Sequence, residues 1–274
     1  MAYPYRPYKE VYTHAEIIES CKAANGKNTE DSDLISSFRP PFSEKLVGKE
    51  FHCRFQDGST LELLFSDAHQ VQCVRDGGEK TTEYYDALES TKAGVFLVHF
   101  FFHTILPFEG ATIVIDTESE LVTWVQLIIG DTVADVCVNR KYVFGYYGSP
   151  KQQLHHYTDE MAGVLLEWRY SETYPIYHDY VTPYCMLSPG YTEAHEEDWL
   201  WRKTLPTEYA KIRDGLFLVS FIEDGGSEAA LLIDLDELRD VGAFYGVGGG
   251  KFFSFTIGAR ATRHPFGIHD AFCP

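Results

Sequence analysis

The polar side chains best suited to chemistry in this chain stand inside apolar segments, and His99 is the clearest of them. It interrupts the apolar run from Val95 to Phe102. An imidazole titrates near neutrality, so it can act as a general base or acid on a bound ligand. The alternative is a buried histidine that is hydrogen-bonded to a tyrosine or a carboxylate for structural reasons.

Two further side chains complete a candidate catalytic set with His99. Tyr84 can supply a proton, and Arg54 can orient an anionic substrate group through charge-assisted hydrogen bonds. Arg54 shares a strand face with His52. The alternative for Arg54 is an ion pair in solvent, because Arg169 repeats it further along the chain.

Aromatic and imidazole side chains indicate what such a site would bind. The chain has 18 tyrosines, which favour flat aromatic or phenolic ligands but equally favour ordinary strand packing. The candidate ligand-binding residues are His52, Tyr85, Phe101, Trp124, His178 and Tyr209.

Spacing argues against metal and nucleotide sites. His99 and His103 lie four strand residues apart, about 13 Å, which is too far for one ion. The chain contains neither Cys-x-x-Cys nor Gly-x-Ser-x-Gly, and the glycine run before Lys251 lacks the residues of a phosphate loop. We therefore expect no metal and no cofactor.

The elements that must position these residues occur twice. Gly94–Phe101 resembles Gly215–Ile222, and Ala111–Asp116 resembles Ala229–Asp234. Weaker matches relate Thr82–Tyr84 to Thr207–Tyr209, and Gly48 with Arg54 to Gly163 with Arg169. Four matches in the same order indicate a duplicated unit.

Both units have the pattern of strands. Short β-branched and aromatic runs are separated by Asp-Gly and Glu-Gly turns, which predicts antiparallel meanders closed as barrels or stacked as a sandwich. A capping box at Thr13–Glu16 predicts one short helix ending near Gly26. The predicted organisation is an N-terminal extension over 1–40, barrels over 41–148 and 158–263, and a tail over 264–274.

Particular segments resemble the molybdenum cofactor biosynthesis protein F (MoaF-type) family. In the second half these are Trp168–Ser171, Tyr209–Gly215 and Ile233–Leu235, and in the first half the stretch from Leu46 to Trp124. The resemblance implies an all-β fold of two tandem lipocalin-like (calycin) barrels, small-molecule binding and a link to molybdenum cofactor genes. It supplies no catalytic motif.

Composition excludes several classes of partner. The net charge is −18, from 41 acidic and 23 basic residues, and such a surface repels nucleic acids and anionic membranes. Scattered cysteines and the absence of a secretory signal pattern predict a soluble, cytoplasmic protein with reduced thiols. Strands that are apolar on both faces predict either packed barrels or a homodimer.

Two functions remain open from the sequence. One is a cofactor-free acid–base enzyme, of lyase, isomerase or cyclase type, that acts on a hydrophobic or phenolic molecule. The other is a non-catalytic lipocalin-like binding protein or an accessory to molybdenum cofactor biosynthesis. We expect His99 to face the apolar interior of the first barrel. Its repeat partner is Ser220, and this difference between the copies favours the enzyme. In that case His99→Ala removes turnover and leaves the melting temperature nearly intact.

Overall fold

The computed structural model describes residues 19, 23, 27–28, 33–103, 109–133, 136–189, 202–223, 226–248 and 251–263. The predicted helix over 13–26 falls almost entirely outside them, as does the tail over 264–274. A short helix, α1 (Asp33–Ser36), precedes the strands.

The first barrel is closed by eight antiparallel strands. They are β1 (Glu50–Phe55), β2 (Thr60–Phe65), β3 (Gln70–Arg75), β4 (Lys80–Glu89), β5 (Val95–Phe101), β6 (Glu109–Asp116), β7 (Leu121–Val133) and β8 (Val136–Tyr146). Sequence neighbours pair along the chain, and β8 closes on β1. Gly145 lies at this seam, where a Cβ would stand 2.4 Å from the carbonyl oxygen of Arg54, so the closure requires glycine.

The second barrel repeats this topology. After the two-residue strand β9 (His156–Tyr157) come β10 (Val164–Ser171), β11 (Tyr174–Thr182), β12 (Cys185–Pro189), β13 (Arg202–Arg213), β14 (Leu216–Glu223), β15 (Ser227–Asp234), β16 (Arg239–Gly248) and β17 (Lys251–Arg263). Pairing of β10 with β17 and of β12 with β13 closes the ring. The prediction of an all-β chain with two tandem barrels is confirmed.

The two barrels pack against each other through a shared apolar layer. In β5, Phe96, Val98 and Phe100 face the interior of the first barrel, while Val95 and Leu97 face the second barrel. The opposing residues lie mainly on the outer faces of β14, β15 and β16. The double-sided apolar strands are therefore explained within one chain, and a homodimer stays a prediction.

Two ion pairs with buried aspartates repeat the duplication where the barrels meet. Asp116 ends β6 and Asp234 ends β15, and each accepts hydrogen bonds from two amides of the turn that follows it. Each also contacts a cation from the other barrel. Arg213 donates two hydrogen bonds to Asp116, at 2.6 and 2.8 Å, and Lys92 lies 3.7 Å from Asp234. The duplicated turns thus bind each barrel to its neighbour.

Asp116→Asn tests this contact through pH. Burial raises the pKa of Asp116, but hydrogen bonds from Arg213 and Ser119 outweigh burial and hold the pKa at about 2. A lowered pKa stabilises the folded state above the unfolded pKa, and this stability is lost as the pH falls through the folded pKa. We expect urea unfolding to give Asp116→Asn a free energy of unfolding about 2 kcal/mol below that of wild type near neutral pH. This difference should shrink towards pH 2.

The matched control is Asp214→Asn, because Asp214 is fully exposed beside Lys211. We expect its unfolding curve to follow wild type at every pH. A deficit in Asp116→Asn that stays constant across the acid range would contradict an ionic role for Asp116.

Candidate functional site

The predicted catalytic residues are not brought together. Arg54 and His52 are exposed on the outer face of β1, where His52 contacts Glu50 and Glu62. Tyr84 is half-buried on the outer face of β4, with the ammonium group of Lys27 5.5 Å from its ring. Alternation along β1 and β4 turns these side chains away from the interior.

His99 lies in the layer between the barrels, so its expected position inside the first barrel is wrong. Its side chain is fully buried, with Nδ1 3.0 Å from the hydroxyl of Thr112 and Nε2 2.9 Å from the hydroxyl of Ser254. Ser254 donates its proton to Asn28, so Nε2 donates to Ser254 and Nδ1 accepts from Thr112. Burial lowers the pKa of His99 to about 3 and keeps the ring neutral.

Three predicted ligand-binding residues divide between the layer and the first barrel. Phe101 faces the layer and packs on Phe252, with ring centroids 4.9 Å apart. Tyr85 and Trp124 do face the first interior, where Tyr85 donates a hydrogen bond to the carbonyl oxygen of Asp67. That interior is packed with buried aromatic and aliphatic side chains and the thiols of Cys53 and Cys73.

Ion-paired side chains lie at one end of the first barrel. Arg75 pairs with Glu109 from the strand opposite and lies 5.7 Å from the Trp124 ring. Beside them His103 contacts the buried carboxylate of Glu83 at 2.5 Å. The first barrel therefore has an apolar interior whose end carries ion pairs.

The second barrel differs, because its interior contains a hydrogen-bonded polar chain. The indole of Trp168 donates to the hydroxyl of Tyr180 at 3.2 Å, and that hydroxyl lies 3.2 Å from Nδ1 of His178. The tautomer in which Nδ1 of His178 is unprotonated accepts the proton of the Tyr180 hydroxyl, whereas the other tautomer donates to that hydroxyl. Burial lowers the pKa of His178 to about 3, so its imidazole is neutral and able to accept that proton.

A buried carboxyl group lies in the same interior. Asp240 accepts a hydrogen bond from the amide of Ala259 at 2.6 Å and one from the hydroxyl of Tyr170 at 3.4 Å. Burial, only partly opposed by these hydrogen bonds, raises the pKa of Asp240 to about 7. Tyr209 is buried nearby, with its ring 5.8 Å from that of Tyr180. Together these side chains form the second-barrel polar cluster, Trp168, Tyr170, His178, Tyr180, Tyr209 and Asp240.

Strand registers show that each member of this cluster replaces an apolar residue of the first barrel. In the first barrel, Cys53 pairs with Leu61 and Phe51 pairs with Leu63. In the second barrel, Trp168 pairs with Ile176 and Leu166 pairs with His178. These pairs are equivalent, so Trp168 corresponds to Cys53 and His178 corresponds to Leu63. Extending these registers along the strands gives the full set of equivalent positions, which is Cys53 and Trp168, Phe55 and Tyr170, Leu63 and His178, Phe65 and Tyr180, Ala87 and Tyr209, and Val122 and Asp240.

The same registers correct the predicted equivalence of Tyr84 and Tyr209. Ala87 pairs with Val98, and Tyr209 pairs with Val219. Because Val98 and Val219 are repeat partners, Tyr209 corresponds to Ala87. The short Thr-Glu-Tyr match shifted the alignment by three residues and exchanged the two strand faces.

Half-buried aromatic rings lie at one end of the second barrel. Tyr174 follows the turn between β10 and β11, and Phe244 stacks on Phe255 at 5.5 Å near the turn between β16 and β17. These side chains pack on the interior cluster yet remain partly exposed to water. Phe221 connects them to the polar cluster, because its ring lies 5.3 Å from His178 and 6.5 Å from Phe244.

Sequence reasoning identified His178 and Tyr209 but missed Trp168, Tyr170, Tyr180 and Asp240. A signal was present: Tyr174, Ile176, His178 and Tyr180 alternate along one strand. Within the part of the chain that the structure describes, no group of three or more His, Cys, Asp or Glu side chains is arranged to hold a metal. In that same part, no helix has the length and apolar character needed to span a membrane.

The comparisons with known proteins concern the first barrel. Residues 32–130 match the family model described as MoaF N-terminal domain, which reaches from α1 into β7. The predicted relationship to this family is thereby confirmed for that stretch, and the likeness of the second half stays a prediction. No curated protein matches the chain.

We expect His99→Ala to destabilise the fold, which revises the expectation from the sequence. The variant leaves a cavity between the barrels and removes the partner of two buried hydroxyls, so the free energy of unfolding should fall by about 2–4 kcal/mol. Urea unfolding measures it, with the exposed Arg54→Ala as a control that changes by less than about 0.5 kcal/mol. An unchanged midpoint for His99→Ala would contradict a structural role.

Asp240→Asn tests the electrostatics of the second barrel. A carboxyl whose folded pKa is raised stabilises the fold fully below its unfolded pKa, and that stability is lost as the pH rises through the folded value. As the pH rises from about 4 to 7, the free energy of unfolding of wild type should fall by about 4 kcal/mol relative to that of Asp240→Asn. Unfolding curves at the two ends of this range measure the change, and parallel pH profiles would show that Asp240 ionises normally.

Proposed function

We propose that this chain, whose residues 32–130 carry a MoaF N-terminal domain, binds a small aromatic or phenolic molecule inside its second barrel. The observation that carries the proposal is the replacement of apolar residues by the second-barrel polar cluster at equivalent positions. Polar groups inside a barrel cost free energy unless they are partnered, and small-molecule sites combine apolar walls with a few such groups.

The aromatic end of the second barrel supports the choice of ligand. Tyr174, Phe244 and Phe255 offer ring faces and edges for stacking, with Phe221 leading inwards from them to His178. A phenol hydroxyl that reaches the cluster meets the Tyr180 hydroxyl and the His178 imidazole, which can donate and accept hydrogen bonds. Among the described residues of the first barrel, the equivalent interior positions hold apolar side chains instead.

Acid–base turnover is the second candidate, and Asp240 favours it. A carboxyl group with a pKa of about 7 can take up or release a proton at neutral pH, whereas buried His99 and His178 stay neutral. In this proposal the reaction is of the cofactor-free lyase, isomerase or cyclase type. The non-catalytic carrier and the accessory to cofactor assembly bind a ligand at the same polar cluster without the proton transfer.

The binding proposal is tested on the full-length chain with phenol and indole as probes, by ligand-observed NMR. We expect both probes to bind, Phe244→Ala to weaken both by roughly tenfold, and Tyr180→Phe to weaken phenol by about three- to tenfold. Native mass spectrometry of the purified chain should show a retained small molecule that Phe244→Ala releases.

Matched controls lie on outer faces. Tyr84→Phe removes a half-buried hydroxyl and Phe42→Ala an exposed ring, and neither should change binding. Circular dichroism verifies that each variant is folded. Probe binding that survives Phe244→Ala and Tyr180→Phe in folded protein would place the ligand elsewhere and overturn the proposal.

A further inference from the structure

A cleft of about 450 Å³ lies between the barrels, apart from the second-barrel interior. Its walls come from the segment after α1, the turn after β4, and the outer faces of β16 and β17. We propose that this cleft binds the carboxylate or phosphate group of a small organic anion between the guanidinium groups of Arg239 and Arg260.

The two arginines are directly opposite each other on neighbouring strands. Arg239 on β16 pairs in register with Arg260 on β17, and both side chains are exposed on the same outer face. Arg169 on β10 is in turn opposite Arg260. Like charges in direct cross-strand positions destabilise a sheet, so this row of guanidinium groups costs free energy unless an anion neutralises it.

Acidic partners for the two arginines are missing although the chain is strongly acidic. Arg169 forms an ion pair with Glu167 at 2.7 Å. In contrast, neither Arg239 nor Arg260 forms an ion pair within the described ranges, although the net charge is −18. The Arg260 guanidinium instead lies over the Phe38 ring at 4.5 Å, which holds it at the cleft wall.

Two carboxyl groups border the cleft, and both are engaged elsewhere. Glu89 contacts the ammonium group of Lys45 at 2.6 Å and accepts a hydrogen bond from the amide of Gly94. Asp240 belongs to the second-barrel polar cluster, where it accepts from the amide of Ala259. The positive groups of the cleft are therefore available to a ligand.

The duplication supplies a second cleft for comparison. It measures about 740 Å³ and is lined by the turn after β6, the end of β13 and the connection between the barrels, together with Lys92 from the turn after β4. There Leu121 occupies the position of Arg239. Its cations are paired, because Arg213 contacts Asp116 and Glu118, and Lys211 contacts Glu160 and Asp214. Unpaired guanidinium groups distinguish the first cleft from its counterpart.

The remaining walls suit an organic anion better than a bare ion. Phe38, Pro40, Leu232 and Val241 contribute apolar surface, and Ser90 and Thr91 contribute polar groups. Binding sites for small molecules have volumes in this range and combine such surfaces. Paired guanidinium groups bind planar carboxylates and phosphates through bidentate hydrogen bonds.

Calorimetric titration of the full-length chain at low salt tests the site with benzoate, phenyl phosphate and inorganic phosphate. We expect saturable binding of one organic anion per chain, weakened by sodium chloride. Arg239→Gln and Arg260→Gln should each weaken binding by at least about tenfold, and Arg239→Lys by less. The relative affinities of benzoate and phenyl phosphate identify the preferred head group.

The control is Lys211→Gln, which changes the charge equally in the other cleft and should leave binding unchanged. Tyr180→Phe should also leave it unchanged, which separates this site from the proposed aromatic site. Without ligand, Arg239→Gln should unfold at the wild-type midpoint or above, since it relieves a like-charge contact. Absence of saturable binding, equal weakening by Lys211→Gln, or a lower midpoint for Arg239→Gln would overturn the proposal.

Discussion

The apolar layer between the barrels is the constraint on which the rest of the structure depends. It forces β5, β6, β14 and β15 to be apolar on both faces, one for the barrel interior and one for the neighbouring barrel. Every polar group that enters this layer must find a partner there, because water is excluded. His99 does so through two hydroxyls, and Asp116 does so through Arg213.

Glu228 shows what happens where pairing in the layer is incomplete. It is buried on β15, and neither carboxyl oxygen makes a hydrogen bond of normal geometry. Burial raises the pKa of Glu228 to about 8, despite the nearby positive charge of Arg140. The carboxyl group is therefore held in its neutral form at physiological pH, which limits the cost of its position.

Sequence reasoning could predict the barrels but could not predict which face of a strand lines an interior. Turn residues and the repeated segments were sufficient for the duplicated all-β fold. Alternation indicates the interior only when the other face is polar, and in β5 both faces are apolar. Alternation along β5 therefore could not show that Phe101 faces the layer while Phe96, Val98 and Phe100 occupy the interior. In β11, by contrast, the buried His178 and Tyr180 alternate with the more exposed Asp179 and Val181, so alternation does mark the interior face there.

Covalent connection explains why the two copies differ. Residues 33–40 lie on the outer face of the second barrel before the chain enters the first barrel. There the amide of Phe38 donates a hydrogen bond to the carbonyl oxygen of Tyr170, and the guanidinium of Arg39 donates one to that of Thr256. The equivalent position beside the second cleft is occupied by the connection between the barrels, with His155 hydrogen-bonded to Thr123. Equivalent turns are thus covered by different segments, and the clefts beside them also differ in charge because Arg239 stands where the other copy has Leu121. In the described residues the first interior is mainly apolar, with ion pairs at one end, whereas the second interior accommodates the polar cluster.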